Sequence, residues 1–303
     1  MSLSRSIRKL ARFIRTASNP GRLLQLIKLN PNDPKPYSDY FTFLSRSNQD
    51  IPSDLISSYV DAVIQTDSDL AFNSIPIAEL FFIRKYNRPI DFSSGIINLY
   101  GINLSNIDIF HGLHIPNLTS LNLGNTGISD ISNLSNFTNL QTLILSNNPI
   151  VDLSPIKSLT NLQQLALSNT NISNLSILKT LTNLQHLSLS NNQISDISPL
   201  QSLNKTLTYL HLSNNQISDI SPIHKLKFLK SLYLSNNQIT DITPISELKS
   251  LNHLELVNNL IRKISFPSPL TRVTILHISN NPVTSASITK AFPNARSQIY
   301  YKK

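Results

Sequence analysis

From residue 118 to residue 283 the apolar positions recur in one order: Leu, two variable residues, Leu, one variable residue, Leu, two residues, Asn, one residue, Ile. The stretches 139–156 (NLQTLILSNNPIVDLSPI), 183–200 (NLQHLSLSNNQISDISPL) and 228–245 (FLKSLYLSNNQITDITPI) superpose on this pattern. Units start at Leu118, Leu140, Leu162, Leu184, Leu207, Leu229, Leu251 and Val273, in steps of 22, 22, 22, 23, 22, 22 and 22 residues. A degenerate unit, 96–110 (IINLYGINLSNIDIF), precedes them. Self-similarity at a fixed short period is the mark of a solenoid, with each unit burying its apolar side against its neighbours. About nine coils are expected.

Each position has a physical task. Leu143 and Leu145, like their equivalents, alternate along a short strand and point inward. Strands from successive coils stack in parallel into one sheet. The Ile of N-x-I and the Ile or Leu of D-I-S-P-L return the chain inward on the other side. The Asn at the turn (Asn148, Asn192, Asn215, Asn237, Asn259, Asn281) is expected to be buried. Its amide both donates and accepts, so it can satisfy backbone groups and link coil to coil. Thr126 and Thr170 take that place in two coils, where the ladder should be weaker. The steps into Pro155, Pro199, Pro222 and Pro244 predict extended or turn backbone on the convex side, without a regular helix. The acids Asp130, Asp196, Asp219 and Asp241 repeat with the coil and read as a solvated or turn-capping row.

The motif LTNLQxLxLSNNQISDISPL resembles the 22-residue leucine-rich repeat of bacterial internalins and of intracellular phosphatase-regulatory repeat subunits. The resemblance covers roughly residues 96–283. It implies an α/β repeat fold: a curved leucine-rich-repeat solenoid with its parallel sheet on the concave face. It also implies a general binding scaffold, which fixes no partner.

The flanks divide the rest. Residues 31–95 read as a helical N-terminal cap, with helices near 37–46, 53–65 and 76–87. Residues 96–283 form the solenoid, and 284–303 a C-terminal cap with a helix near 285–292 and a last strand at Gln298–Tyr301. Residues 1–30 form a basic arm. The net charge of +9 gathers there, because residues 1–28 hold seven bases and no acid, whereas the other 275 residues hold 19 bases and 17 acids. Leu3, Ile7, Leu10, Phe13 and Ile14 make an apolar stripe, with Arg5, Arg8, Lys9, Arg12 and Arg15 around the remaining surface. The arm fits a presequence, an anchor on an anionic membrane, a contact to nucleic acid or an acidic partner, or a stripe docked on the cap.

Function in such an array belongs on the outward strand positions of the sheet. The first row of the last coils carries His186, Tyr209 and His253, and the second row carries His211, Tyr233, Glu255 and His277. Four of the chain's seven histidines fall in this patch. Tyr and His offer apolar area with a polar tip, as protein-binding surfaces do. A metal site is not expected: His211 lies two strands from His253 and Glu255, about 9–10 Å by sheet spacing, too far to share a tetrahedral ion. No Gly-rich phosphate loop, H-E-x-x-H or G-x-S-x-G occurs, and there is no cysteine. Neither an enzyme nor a cofactor is therefore expected.

The reading is a non-enzymatic protein–protein interaction scaffold that binds its partner on the concave face, with the arm as a second attachment. The alternative is a structural subunit of a large assembly (a virion, ribosome-like particle or organelle complex), whose arm contacts nucleic acid, membrane or a neighbouring subunit. The expected setting is intracellular, without signal peptide or transmembrane segment.

Overall fold

A computed structural model of the protein describes residues 90–92, 94–104, 110 and 115–295. The cap helices expected near 37–46, 53–65 and 76–87, the basic arm (Arg5, Arg8, Lys9, Arg12, Arg15) and the strand at Gln298–Tyr301 lie outside the described residues. The chain divides into two compact units, residues 1–93 with 106–115, and residues 94–105 with 116–303. In the first, Ile90, Phe92, Phe110 and Ile115 are buried. The second holds the repeats.

Nine three-residue strands form one parallel sheet in chain order. They are β1 (Ile96–Asn98), β2 (Ser120–Asn122), β3 (Thr142–Ile144), β4 (Gln164–Ala166), β5 (His186–Ser188), β6 (Tyr209–His211), β7 (Ser231–Tyr233), β8 (His253–Glu255) and β9 (Ile275–His277). The register is constant: Ser120 pairs Thr142, Thr142 pairs Gln164, Gln164 pairs His186, and so on to His253 with Ile275. Both outward rows read from the repeat are therefore real rows. The central Leu of each strand from β2 to β9 is buried, as is the Leu or Ile two residues on. This is the period-two alternation of a sheet with one face in the core.

After each of β2 to β9 the chain turns through two consecutive residues with different tasks. The first is an asparagine in the left-handed region (Asn125, Asn147, Asn169, Asn191, Asn214, Asn236, Asn258, Asn280), with φ between 55° and 60°. Asparagine tolerates this backbone better than other residues with a Cβ. The next residue is the ladder position. Asn192 donates from Nδ2 to Leu167 O at 2.8 Å in the preceding coil and to Leu189 O at 3.0 Å in its own. Its Oδ1 accepts from the Thr170 and Ile172 amides at 3.0 and 3.2 Å. Asn148, Asn215, Asn237 and Asn259 are also buried, whereas Asn281, in the last coil, is half-buried.

Thr126 and Thr170 are buried too. Each hydroxyl donates to its own coil's carbonyl, Leu123 O or Leu167 O, at 2.7 Å. The threonine does not reach the preceding coil as asparagine does, which is the expected weakening. These two coils also place a second residue at positive φ, Gly127 at 74° and Asn171 at 60°. Left-handed backbone at exposed Asn214 (φ 58°) makes a simple prediction. Asn214→Gly leaves stability within a few tenths of a kcal/mol, whereas Asn214→Val costs about 1–2 kcal/mol in urea unfolding.

The return side takes one of the two alternatives left open there, the turn. The Ser-Pro and Thr-Pro steps do not run extended; they open 3₁₀ turns at Ser154–Ser158, Ser198–Leu203, Ser221–Lys225 and Thr243–Glu247. Proline sits in the first two positions of each, where its fixed φ suits a helical turn and its missing N–H costs nothing. The acid row caps turns of this kind, including one without proline at Ser132–Asn136. Asp130, Asp196, Asp219 and Asp241 accept through Oδ1 from the amide two residues on, at 2.7–2.8 Å. Hydrogen bonds from Ser154 and Ser198 hold Asp152 and Asp196 below the ordinary carboxylate range.

The expected C-terminal helix is present as α1 (Ser285–Ala291), and its N-cap Thr284 accepts from the Ser287 amide. No helix among the described residues is long and apolar enough to cross a membrane.

Candidate partner-binding face

All seven residues singled out on the sheet face lie in the described coils, on β5 to β9. His186 is exposed and the other six are half-exposed. They form one connected chain of rings. His186 meets Tyr209 at a centroid distance of 5.9 Å, Tyr209 meets Tyr233 at 5.2 Å, Tyr233 meets His253 at 4.8 Å and His253 meets His277 at 5.8 Å. His211 packs on Tyr233 at 5.1 Å. Several of these contacts join opposite rows of neighbouring strands, the diagonal reach that only large side chains have. Tyr233 is the hub, touching Tyr209, His211 and His253.

Burial sets the protonation of the centre. It raises the pKa of Tyr209, with smaller contributions from Tyr233 and Glu255 in the same direction. It raises that of Tyr233 as well, again with Glu255. It pushes His211 below the ordinary histidine value, with Glu255 pulling the other way. At neutral pH both phenols therefore keep their protons as donors and His211 is neutral.

The acidic end is different. Glu255 Oε1 lies 3.2 Å from His253 Nε2 and 3.3 Å from His277 Nδ1. The trio set aside in the sequence, His211 with His253 and Glu255, does span β6 to β8. The groups that converge are His253, Glu255 and His277, with donor atoms all within 4.8 Å of one another. The register was the available signal, since His277 pairs directly with Glu255. Ile275, beside His253 in the first row and 41% exposed, adds apolar area that the sequence reading did not single out.

The earlier coils present a plainer face: Ser120, Thr142 and Gln164 in one row, Asn122, Ile144 and Ala166 in the other. Beside them runs an open groove of about 640 Å³, lined by Asn139, Asn161 and Asn183 with Gln141, Gln163 and Gln185. Its asparagines are structural, donating to Pro116 O, Thr138 O and Thr160 O of the coil before at 2.9–3.0 Å.

Comparisons with known proteins agree with this geometry. A family profile described as "Leucine Rich repeats (2 copies)" matches residues 138–180, 160–202 and 205–247. The crystal structure of an internalin C2 from Listeria monocytogenes is similar at 31% identity and a TM-score of 0.56, covering 64% of this chain and 83% of its own. That of an internalin (inlF) from the same organism shows 32% identity and a TM-score of 0.61, covering 80% of this chain and 67% of its own. A leucine-rich-repeat protein of Leptospira interrogans shares the fold at 22% identity and a TM-score of 0.50, over 60% of each chain. A search of curated protein sequences finds no significant match. Repeat length, the asparagine ladder, the in-register sheet and these matches agree: the chain belongs to the leucine-rich-repeat family and carries internalin-like repeats.

Proposed function

We propose that this chain is a non-enzymatic protein-binding scaffold whose partner docks on the sheet face of β5–β9. Leucine-rich-repeat solenoids in general present extended surfaces to protein partners. The observation that carries the finer reading is the unbroken run of rings from His186 through Tyr209 and Tyr233 to His277. It sits beside coils whose outward residues are mostly small or polar. Aromatic side chains that are already packed against one another lose little rotamer freedom on binding, which favours them as interface anchors. The basic arm would add a second, salt-sensitive attachment through its seven positive charges.

The test is affinity capture followed by titration. Replacing Tyr209, His211 and Tyr233 together by Ala removes the centre of the patch and no core residue. At about 2 kcal/mol for each anchoring tyrosine, partner affinity falls by roughly a thousandfold, while circular dichroism stays as in the parent. Replacing Thr142 and Gln164 by Ala leaves binding unchanged. A partner held equally by the triple variant places the interface elsewhere and defeats this reading.

A further inference from the structure

We propose that His253, Glu255 and His277 form a binding site for a first-row divalent metal ion of the zinc type. His253 and Glu255 are the two outward positions of β8, so one strand aims both at the same side. His277 stands opposite Glu255 on β9, the closest place a third outward ligand can come from. Glu255 Oε1 is already 3.2 Å from His253 Nε2 and 3.3 Å from His277 Nδ1, and the donor atoms all lie within 4.8 Å. Around a tetrahedral ion with bonds near 2.0–2.1 Å, donors stand about 3.4 Å apart. The trio therefore reaches that arrangement by side-chain rotation alone.

The donor set selects the ion. Two imidazoles and one carboxylate match the three protein ligands of an open zinc site and leave one position for water or an incoming donor. Nitrogen-rich sets favour Zn²⁺, Co²⁺, Ni²⁺ and Cu²⁺ over Mg²⁺ and Ca²⁺, which take oxygen ligands. The surroundings are those of a built site. Tyr233 Oη lies 3.3 Å from His253 Nδ1. A proton on Nδ1, shared with that hydroxyl, leaves the Nε2 lone pair facing Glu255. The His253 ring is also held between Tyr233 at 4.8 Å and His277 at 5.8 Å. The side chains of His253 and Glu255 are only 22% and 26% exposed, so an ion there is partly shielded from water.

The experiment uses the whole chain, stripped with a chelator and free of any partner, so its outcome does not depend on the binding reading above. Zn²⁺ is titrated by calorimetry, and Co²⁺ by visible absorption, whose bands report coordination number. One Zn²⁺ per chain is expected, with the strong cobalt bands of low coordination and no heat from Mg²⁺. His277→Ala and Glu255→Gln each weaken Zn²⁺ binding by more than about tenfold. Tyr233→Phe, which removes only the outer hydroxyl, weakens it by about tenfold. His224→Ala, on an exposed turn away from the sheet face, binds as the parent does. All variants are checked by thermal melting in chelator. If His277→Ala binds Zn²⁺ as tightly as the parent, or if the parent gives only octahedral cobalt spectra, the three groups are a hydrogen-bonded cluster around Glu255 and the proposal fails.

Discussion

Asn215→Ala is expected to destabilise the array by about 3 kcal/mol, one of the largest losses for a side chain outside the hydrocarbon core. Asn215 Nδ2 donates to Leu189 O at 3.0 Å and Leu212 O at 2.9 Å, and its Oδ1 accepts from the Ile194 amide at 3.0 Å. Alanine leaves the Ile194 N–H in a buried turn without a partner and takes one of two donors from each carbonyl, since Leu189 O keeps Asn192 Nδ2 and Leu212 O keeps Asn237 Nδ2. An orphaned group costs roughly 1–3 kcal/mol, less what a trapped water recovers, and the two lost carbonyl bonds add to that. At about 2–4 °C per kcal/mol for a unit of this size, the melting temperature falls by roughly 6–12 °C.

Asn215→Thr separates the two halves of the job. Threonine at this position keeps the bond within its own coil, as Thr126 and Thr170 do, and gives up those to Leu189 O and the Ile194 amide of the coil before. It should cost about half as much as alanine. If Asn215→Ala costs less than about 1 kcal/mol by urea unfolding, water replaces the amide at no loss and the ladder is not what couples the coils.

Much of this was legible because a repeat turns one local inference into many. Asn at a fixed place in six coils marked the ladder, and a nearly constant step fixed the register. Together they placed Tyr209, His211 and Tyr233 on adjoining strands. Even the 23-residue step before Leu207 has a simple structural counterpart. The turn upstream of it, Ser198–Leu203, is six residues long, whereas those at Ser132–Asn136, Ser154–Ser158, Ser176–Thr180, Ser221–Lys225 and Thr243–Glu247 span five.

The misses have physical causes. In the doublet Asn214–Asn215 the first residue bends the chain at φ 58° while the second bridges coils, but a sequence records them as two equal letters. The proline steps read as extended or turn backbone, and the choice between them is open in the sequence; at the start of a 3₁₀ turn the missing N–H of proline has no bond to lose. Strand spacing gives backbone separations, not where rotamers meet. It sets His211 two strands from His253, and it puts His277 opposite Glu255, but only the side-chain rotamers bring those two groups to 3.3 Å.

Leu232→Ala tests whether the two candidate sites share one mechanical support. Leu232 is the inward residue of β7, fully buried, between Leu210 and Leu254 in register. Truncating such a leucine costs about 3–4 kcal/mol through lost transfer free energy and the cavity left behind. In a solenoid each coil is held only by its neighbours, so the damage is local. The coils of β8 and β9 then hang from a weakened interface on one side, and among the described residues they are followed by the short α1 segment on the other.

Hydrogen exchange should therefore speed up most at the amides of Leu254, Leu256 and Leu276, and least at Leu143 and Leu165. Because His253, Glu255 and His277 ride on those coils, Zn²⁺ binding should weaken although most of the array stays folded. Leu143→Ala, with the same burial on β3, should cost a similar amount and spare the ion. Uniform loss of exchange protection from β1 to β9 would mean that the array unfolds as a single cooperative unit. In that case stability at the candidate sites is set by the whole solenoid, and no coil near them is special.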